Sequence, residues 1–186
     1  MAIQSIIRRP TSFAGSQESG WTGEANLFQK DGSLAQSQVT AQNTNVPFLK
    51  LSAFDNPLPF DATILGVVLH ITGKSQYTAN TGFFCSGAGA GGLRLMGITG
   101  AVGRGMTAIK SNVLATKIVG GDTDMWGTTS MDVVEANSSA FGVYFQAQNG
   151  WTTAQVLSLD CIEAEFFYDD NQPEPPIGGN GPVKPT

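Results

Sequence analysis

The chain has 186 residues, of which 41% are hydrophobic and 13% charged, and 10 Lys and Arg face 15 Asp and Glu for a formal net charge of −5. That balance excludes a nucleic-acid binder acting through a basic field and a basic amphipathic helix lying on a membrane. The apolar share excludes a disordered chain, and at this length ~70% of the unfolded surface can be buried, enough for one core without metal or disulfide staples.

In chain order, residues 1–19 are expected to form an N-terminal arm or a first strand. Arg8 and Arg9 follow the first apolar stretch instead of preceding it, which is not the order of a secretory signal. Residues 20–168 read as one β-sandwich domain. Short strand patterns fall at 39–42, 48–54, 82–86, 93–97, 107–110 and 116–119. The clearest signals have period two. Leu65, Val67, Leu69 and Ile71 alternate with Gly66, Val68, His70 and Thr72, and the second set is itself fairly apolar, which marks a central or doubly covered strand. Phe141, Val143, Phe145 and Ala147 form a second such set, and Ile162, Ala164, Phe166 and Tyr168 a third.

Turn signals punctuate these runs at Asp31-Gly32, Asn56-Pro57, Gly120-Gly121-Asp122 and Asn149-Gly150. Many short strands with this punctuation predict an all-β antiparallel sandwich or barrel. One helical turn is expected over 130–137, with Ser130 as its cap and no capping box, because the glutamate stands five residues on. The run from Gly82 to Gly105 holds nine glycines, which suit either a flexible loop or a loop packed at a subunit contact. It lacks the GxxxxGK[ST] spacing of a phosphate cradle.

Residues 169–186 change character. Pro173, Pro175, Pro176, Pro182 and Pro185 lie among glycines with almost no bulky apolar side chains. Such a segment favours extended polyproline-like backbone and cannot build a core of its own. It is either a disordered tail or an arm ordered by neighbours, and the arm is the preferred reading, because proline lowers the entropy lost on docking.

The side chains give no catalytic constellation. His70 is the single histidine, expected as a hydrogen-bonded structural residue, and no GxSxG elbow accompanies it. Cys85 and Cys161 are too few for a zinc site or a disulfide framework and read as buried thiols, with a single bridge left open. Asp122 and Asp124 flank Thr123 as a D-x-D pair, read as a solvated turn before a calcium loop. Glu163 and Glu165 would stand roughly 7 Å apart on one strand face, a solvated face before a glycosidase pair. Of the three tryptophans, Trp126 is expected to plug the sandwich end. Trp151 follows Asn149-Gly150 at an expected hairpin tip and is the best candidate for a glycan contact.

The order of motifs carries a resemblance. Trp21-Thr22-Gly23 and Asp31-Gly32 come first. Then follow 48–54, Leu58-Pro59-Phe60-Asp61-Ala62-Thr63-Ile64-Leu65-Gly66-Val67, and Asp124-Met125-Trp126-Gly127. Asn137-Ser138-Ser139-Ala140-Phe141-Gly142-Val143 and Leu159-Asp160-Cys161-Ile162 running to Tyr168 close the series. This resembles a group of β-sandwich domains found in the virion structural proteins of tailed bacteriophages, over about residues 20 to 168.

The resemblance implies a jelly-roll-like antiparallel sandwich with extended N- and C-terminal arms and a non-enzymatic role. The expected protein is a capsid decoration protein forming homo-oligomers, a trimer by guess, on the major capsid protein or other virion proteins. Its place would be the virion, after assembly in the host cytoplasm. No cofactor, metal, nucleic acid or membrane is implied. A tail or baseplate component, or a carbohydrate-binding module for host attachment, is the alternative. The expected subunit or particle contacts are Arg8, Arg9 and the five C-terminal prolines.

Overall fold

The computed structural model describes residues 3–13, 20–78, 82–86 and 92–171. Its strands are β1 (Gln4–Arg8), β2 (Pro10–Phe13), β3 (Trp21–Thr22), β4 (Ala35–Ser37), β5 (Leu49–Phe54), β6 (Thr63–Ser75) and β7 (Phe83–Cys85), continuing with β8 (Leu93–Met96), β9 (Met106–Ile109), β10 (Ala115–Gly120), β11 (Gly142–Phe145), β12 (Gln148–Asn149) and β13 (Leu157–Asp169). A 3₁₀ turn covers Glu24–Phe28 and a short helix α1 covers Val133–Asn137.

The strands form three antiparallel sheets. The largest runs β10-β6-β13-β4-β3, with β1 also on β13, the second runs β2-β5-β11-β8, and the third runs β12-β7-β9. The inner face of the large sheet carries Val67, Leu69, Ile71, Ile162, Ala164 and Phe166. The second sheet opposes it with Leu49, Leu51, Leu93, Leu95, Val143 and Phe145, and all twelve belong to one buried cluster. The architecture is therefore an all-β antiparallel sandwich, as alternation predicts. Phe141 joins the layers, with its ring 5.1 Å from Phe54 and 5.3 Å from Phe166 in edge contacts. Aromatic pairs of this geometry add ~1 kcal/mol each beyond area burial.

β6 and β13 pair along almost their whole length, and β6 is central between β10 and β13. Two bulges interrupt that ladder. At the first, Leu159 pairs with Gly73 and Cys161 with Thr72, leaving Asp160 as the extra residue. An extra residue reverses the parity of a strand, so Leu157 and Leu159 face inward before the bulge and Ile162, Ala164 and Phe166 after it. The freed Asp160 carboxylate accepts the Gly32 backbone N–H at 2.9 Å and anchors the Asp31-Gly32 turn. At the second bulge, Phe167 pairs with Gly66 and Tyr168 with Ile64. Ile64 thereby takes the buried place that simple alternation assigns to Leu65, which is half-buried.

Residues 4–13 are not a loose segment. β1 pairs with β13 and β2 with β5, so the N-terminus contributes one strand to each main sheet. The expected strand at 39–42 is reduced to a single bridge from Thr40 to Gln155. The helix is shorter than expected, and its cap is Asp132, whose carboxylate accepts the Val134 N–H at 2.7 Å. Glu135 stands three residues after that cap, but it reaches the Thr99 hydroxyl and N–H instead of closing a capping box. The Thr99 side chain, then its backbone N–H, hold the Glu135 carboxyl below the ordinary range.

Candidate functional site

Arg8 ends β1 facing the core and is 2% exposed. Its Nε donates to the Asp55 carbonyl at 2.7 Å, Nη1 to the Ala136 carbonyl at 2.7 Å and Nη2 to the Phe54 carbonyl at 2.9 Å. The guanidinium also lies 5.5 Å from the ring centres of Phe141 and of Phe166. Burial pulls its pKa below the ordinary value, opposed by the Asp55 carboxylate. The expectation of Arg8 as a surface contact is corrected: the side chain is buried and all three guanidinium nitrogens donate inside the sandwich.

Arg9 points the other way. Its Nε meets Glu163 Oε1 at 2.8 Å, and Lys30 Nζ lies 3.8 Å from the other carboxylate oxygen. Arg9 and Lys30 line an open groove with Thr11, Phe28, Asp31 and Asp55. Arg9 is thus accessible, while Glu163 is buried and neutralised, which corrects the solvated face expected for it. Glu165 Oε2 and His70 Nε2 share a hydrogen bond at 2.9 Å, so the lone histidine is hydrogen-bonded across strands. Both glutamates are therefore partnered, Glu163 by Arg9 and Lys30 and Glu165 by His70.

Trp151 is 5% exposed, and its indole N–H meets no acceptor among the described residues. The Asn149-Gly150 pair is not a hairpin tip. Asn149 is fully buried, with Nδ2 donating to the carbonyls of Thr40 at 2.7 Å and Thr153 at 3.1 Å, and Oδ1 accepting the Trp151 N–H at 2.9 Å. This buried asparagine turn draws the indole inward, so the reading of Trp151 as an exposed glycan platform is corrected.

Asp124 is a structural residue. Its Oδ1 accepts from Arg104 Nη2 at 2.7 Å and from the Trp126 N–H at 2.8 Å. That contact supports Trp126 in a left-handed conformation at φ 54, and the fully buried indole donates to the Val67 carbonyl at 2.9 Å. Gly120 lies beside it at φ 98, where a Cβ would overlap that same carbonyl. Cys85 and Cys161 are both buried free thiols. Burial pushes Cys85 up to about 12 and Cys161 up to about 11, so both stay protonated near neutrality.

One surface feature was not legible in the sequence. Lys50, Tyr144 and Arg94 stand in one cross-strand row on β5, β11 and β8. Arg94 lies 4.6 Å from the Tyr144 ring centre and Lys50 lies 5.2 Å from that of Phe48. Only the register brings together three residues so far apart in the chain. Among the described residues no group of three or more His, Cys, Asp and Glu is placed to hold a metal ion. Pro173, Pro175, Pro176, Pro182 and Pro185 lie outside the described residues. Comparison with protein-family models, curated proteins and solved structures gives no match.

Proposed function

We propose that this chain is a non-enzymatic structural protein of a tailed-phage virion, a capsid decoration protein that forms homo-oligomers on the particle. The observation that carries the reading is how the motif pieces of the phage resemblance are used. They pair with one another inside the sandwich. Asn137 brackets Leu58, accepting its N–H at 2.8 Å and donating to its carbonyl at 2.8 Å, across 79 positions. Val67 donates its N–H to the Asp124 carbonyl at 3.0 Å and accepts from the Trp126 indole. Phe141 packs on Phe166, and Asp160 holds Gly32.

These pieces converge on the core, so they specify the sandwich that the proposed role requires. A rigid sandwich with low charge density suits close packing of many copies. The jelly-roll-like connectivity, the C-terminal contact arm at 169–186 and docking on the major capsid protein belong to the same proposal.

The test is immunogold labelling of purified virions whose genome encodes this chain. Regular labelling of heads supports the reading, and labelling of tails moves the protein to the tail or baseplate. Its absence from particles defeats the proposal.

A further inference from the structure

Two sheet edges lie side by side. β9 ends the small sheet and β10 ends the large one, and among the described residues each strand is paired on one side only. The two are consecutive in the chain and pack near each other, yet among the described residues no backbone hydrogen bond joins them. Between them lies a groove of ≈ 560 Å³ lined by Thr107, Ala108, Ile109, Lys110, Ala115 and Lys117, with Ser111 at the turn. Lys110 stands on one wall and Lys117 on the other. No carboxylate lines the groove, and neither lysine is ion-paired among the described residues. In the connection between the strands, Val113 is 67% and Leu114 37% exposed.

Free strand edges are templates for another extended chain. Two lysines without counter-charge, on a protein of net charge −5, select a segment bearing carboxylates. Successive side chains of such a segment alternate between its two faces, so one face can present carboxylates to the lysines while the backbone pairs with an open edge.

We propose that the groove between β9 and β10 is a docking site for an extended, carboxylate-bearing polypeptide segment of a partner protein. The inference stands on this edge alone and holds whether or not the chain sits on a virion.

The test uses the full chain, ¹⁵N-labelled, titrated with a synthetic peptide of alternating glutamate and valine. Saturable shifts confined to residues 107–117 are expected. A Lys110→Glu/Lys117→Glu double variant should bind at least tenfold more weakly, while its spectrum shows a retained fold. A peptide N-methylated at alternate positions should lose binding by a similar factor. The proposal is overturned by no saturable shift at millimolar peptide, by equal binding of a lysine-valine peptide, or by unchanged affinity of the double variant. It is also overturned if the groove proves to be closed by a second copy in a concentration-dependent dimer.

Discussion

Arg8 Nη1 donates to the Ala136 carbonyl at 2.7 Å and ties the first strand to α1 across 128 positions. Nε and Nη2 donate to two further carbonyls at the end of β5, those of Asp55 and Phe54. Removing the guanidinium would orphan three carbonyls, two of them fully buried in these contacts. Arg8→Ala is therefore expected to destabilise the isolated chain by ~3 kcal/mol or more, by the usual cost of breaking a buried charged network. Urea unfolding measures it. Unchanged stability combined with lost self-association would return Arg8 to the role of a surface contact.

Asn137 makes both of its amide bonds to the backbone of Leu58. Asn137→Asp keeps the acceptor but removes the donor, and it faces the Leu58 carbonyl with a charge. A loss of about 1–3 kcal/mol is expected, the cost of an unsatisfied buried group. Thermal unfolding of the variant against Asn137→Ala checks the assignment, since the aspartate should be no more stable than the alanine.

Trp151→Ala should cost about 3–5 kcal/mol, as deletion of a buried aromatic does. Glycan binding, if the chain has any, should be unaffected in preparations that remain folded. A variant of native stability that loses binding on a glycan array would restore the exposed-platform reading.

The Cys85 thiol, raised to about 12 by burial, gives a pH signature. An unfolded thiol loses its proton near pH 8.5, whereas the folded one keeps it, so the folded state binds more protons between those values. Stability contributed by this group is complete below about pH 8.5 and declines as pH rises, with a limiting slope of about 1.4 kcal/mol per pH unit. The stability difference between the wild type and Cys85→Ala should be flat from pH 6 to 8 and shrink above pH 9. A difference that is constant to pH 11 contradicts the burial account. Thiol reagents should label Cys85 only as fast as the chain unfolds.

Much of the fold was legible because burial writes itself as alternation. Phe141, Val143, Phe145 and Ala147 are all fully buried, as their spacing demands. Alternation fails where a strand carries an extra residue. Asp160 and the Ile64-Leu65 step look like ordinary strand residues, and only pairing with the partner strand reveals the bulges. β1 was ambiguous because Arg8, a charged residue, fills an inward position, and its compensation comes from carbonyls some 46 and 128 positions away. Asn149-Gly150 departs from its sequence signal for a related reason. The dipeptide signals a turn, but burial of that turn depends on Thr40 and Thr153. Asp132, with Glu135 three residues later, has the spacing of a helix start and is the local signal for the cap.

The proposed role is that of a repeated brick on a particle, and cryo-EM reconstruction of the virions is the decisive measurement. Density fitting this sandwich is expected at symmetry-related positions on the head, with neighbouring copies in contact. Virions without such density on head or tail, and the chain recovered from infected cells as a free monomer, would contradict it.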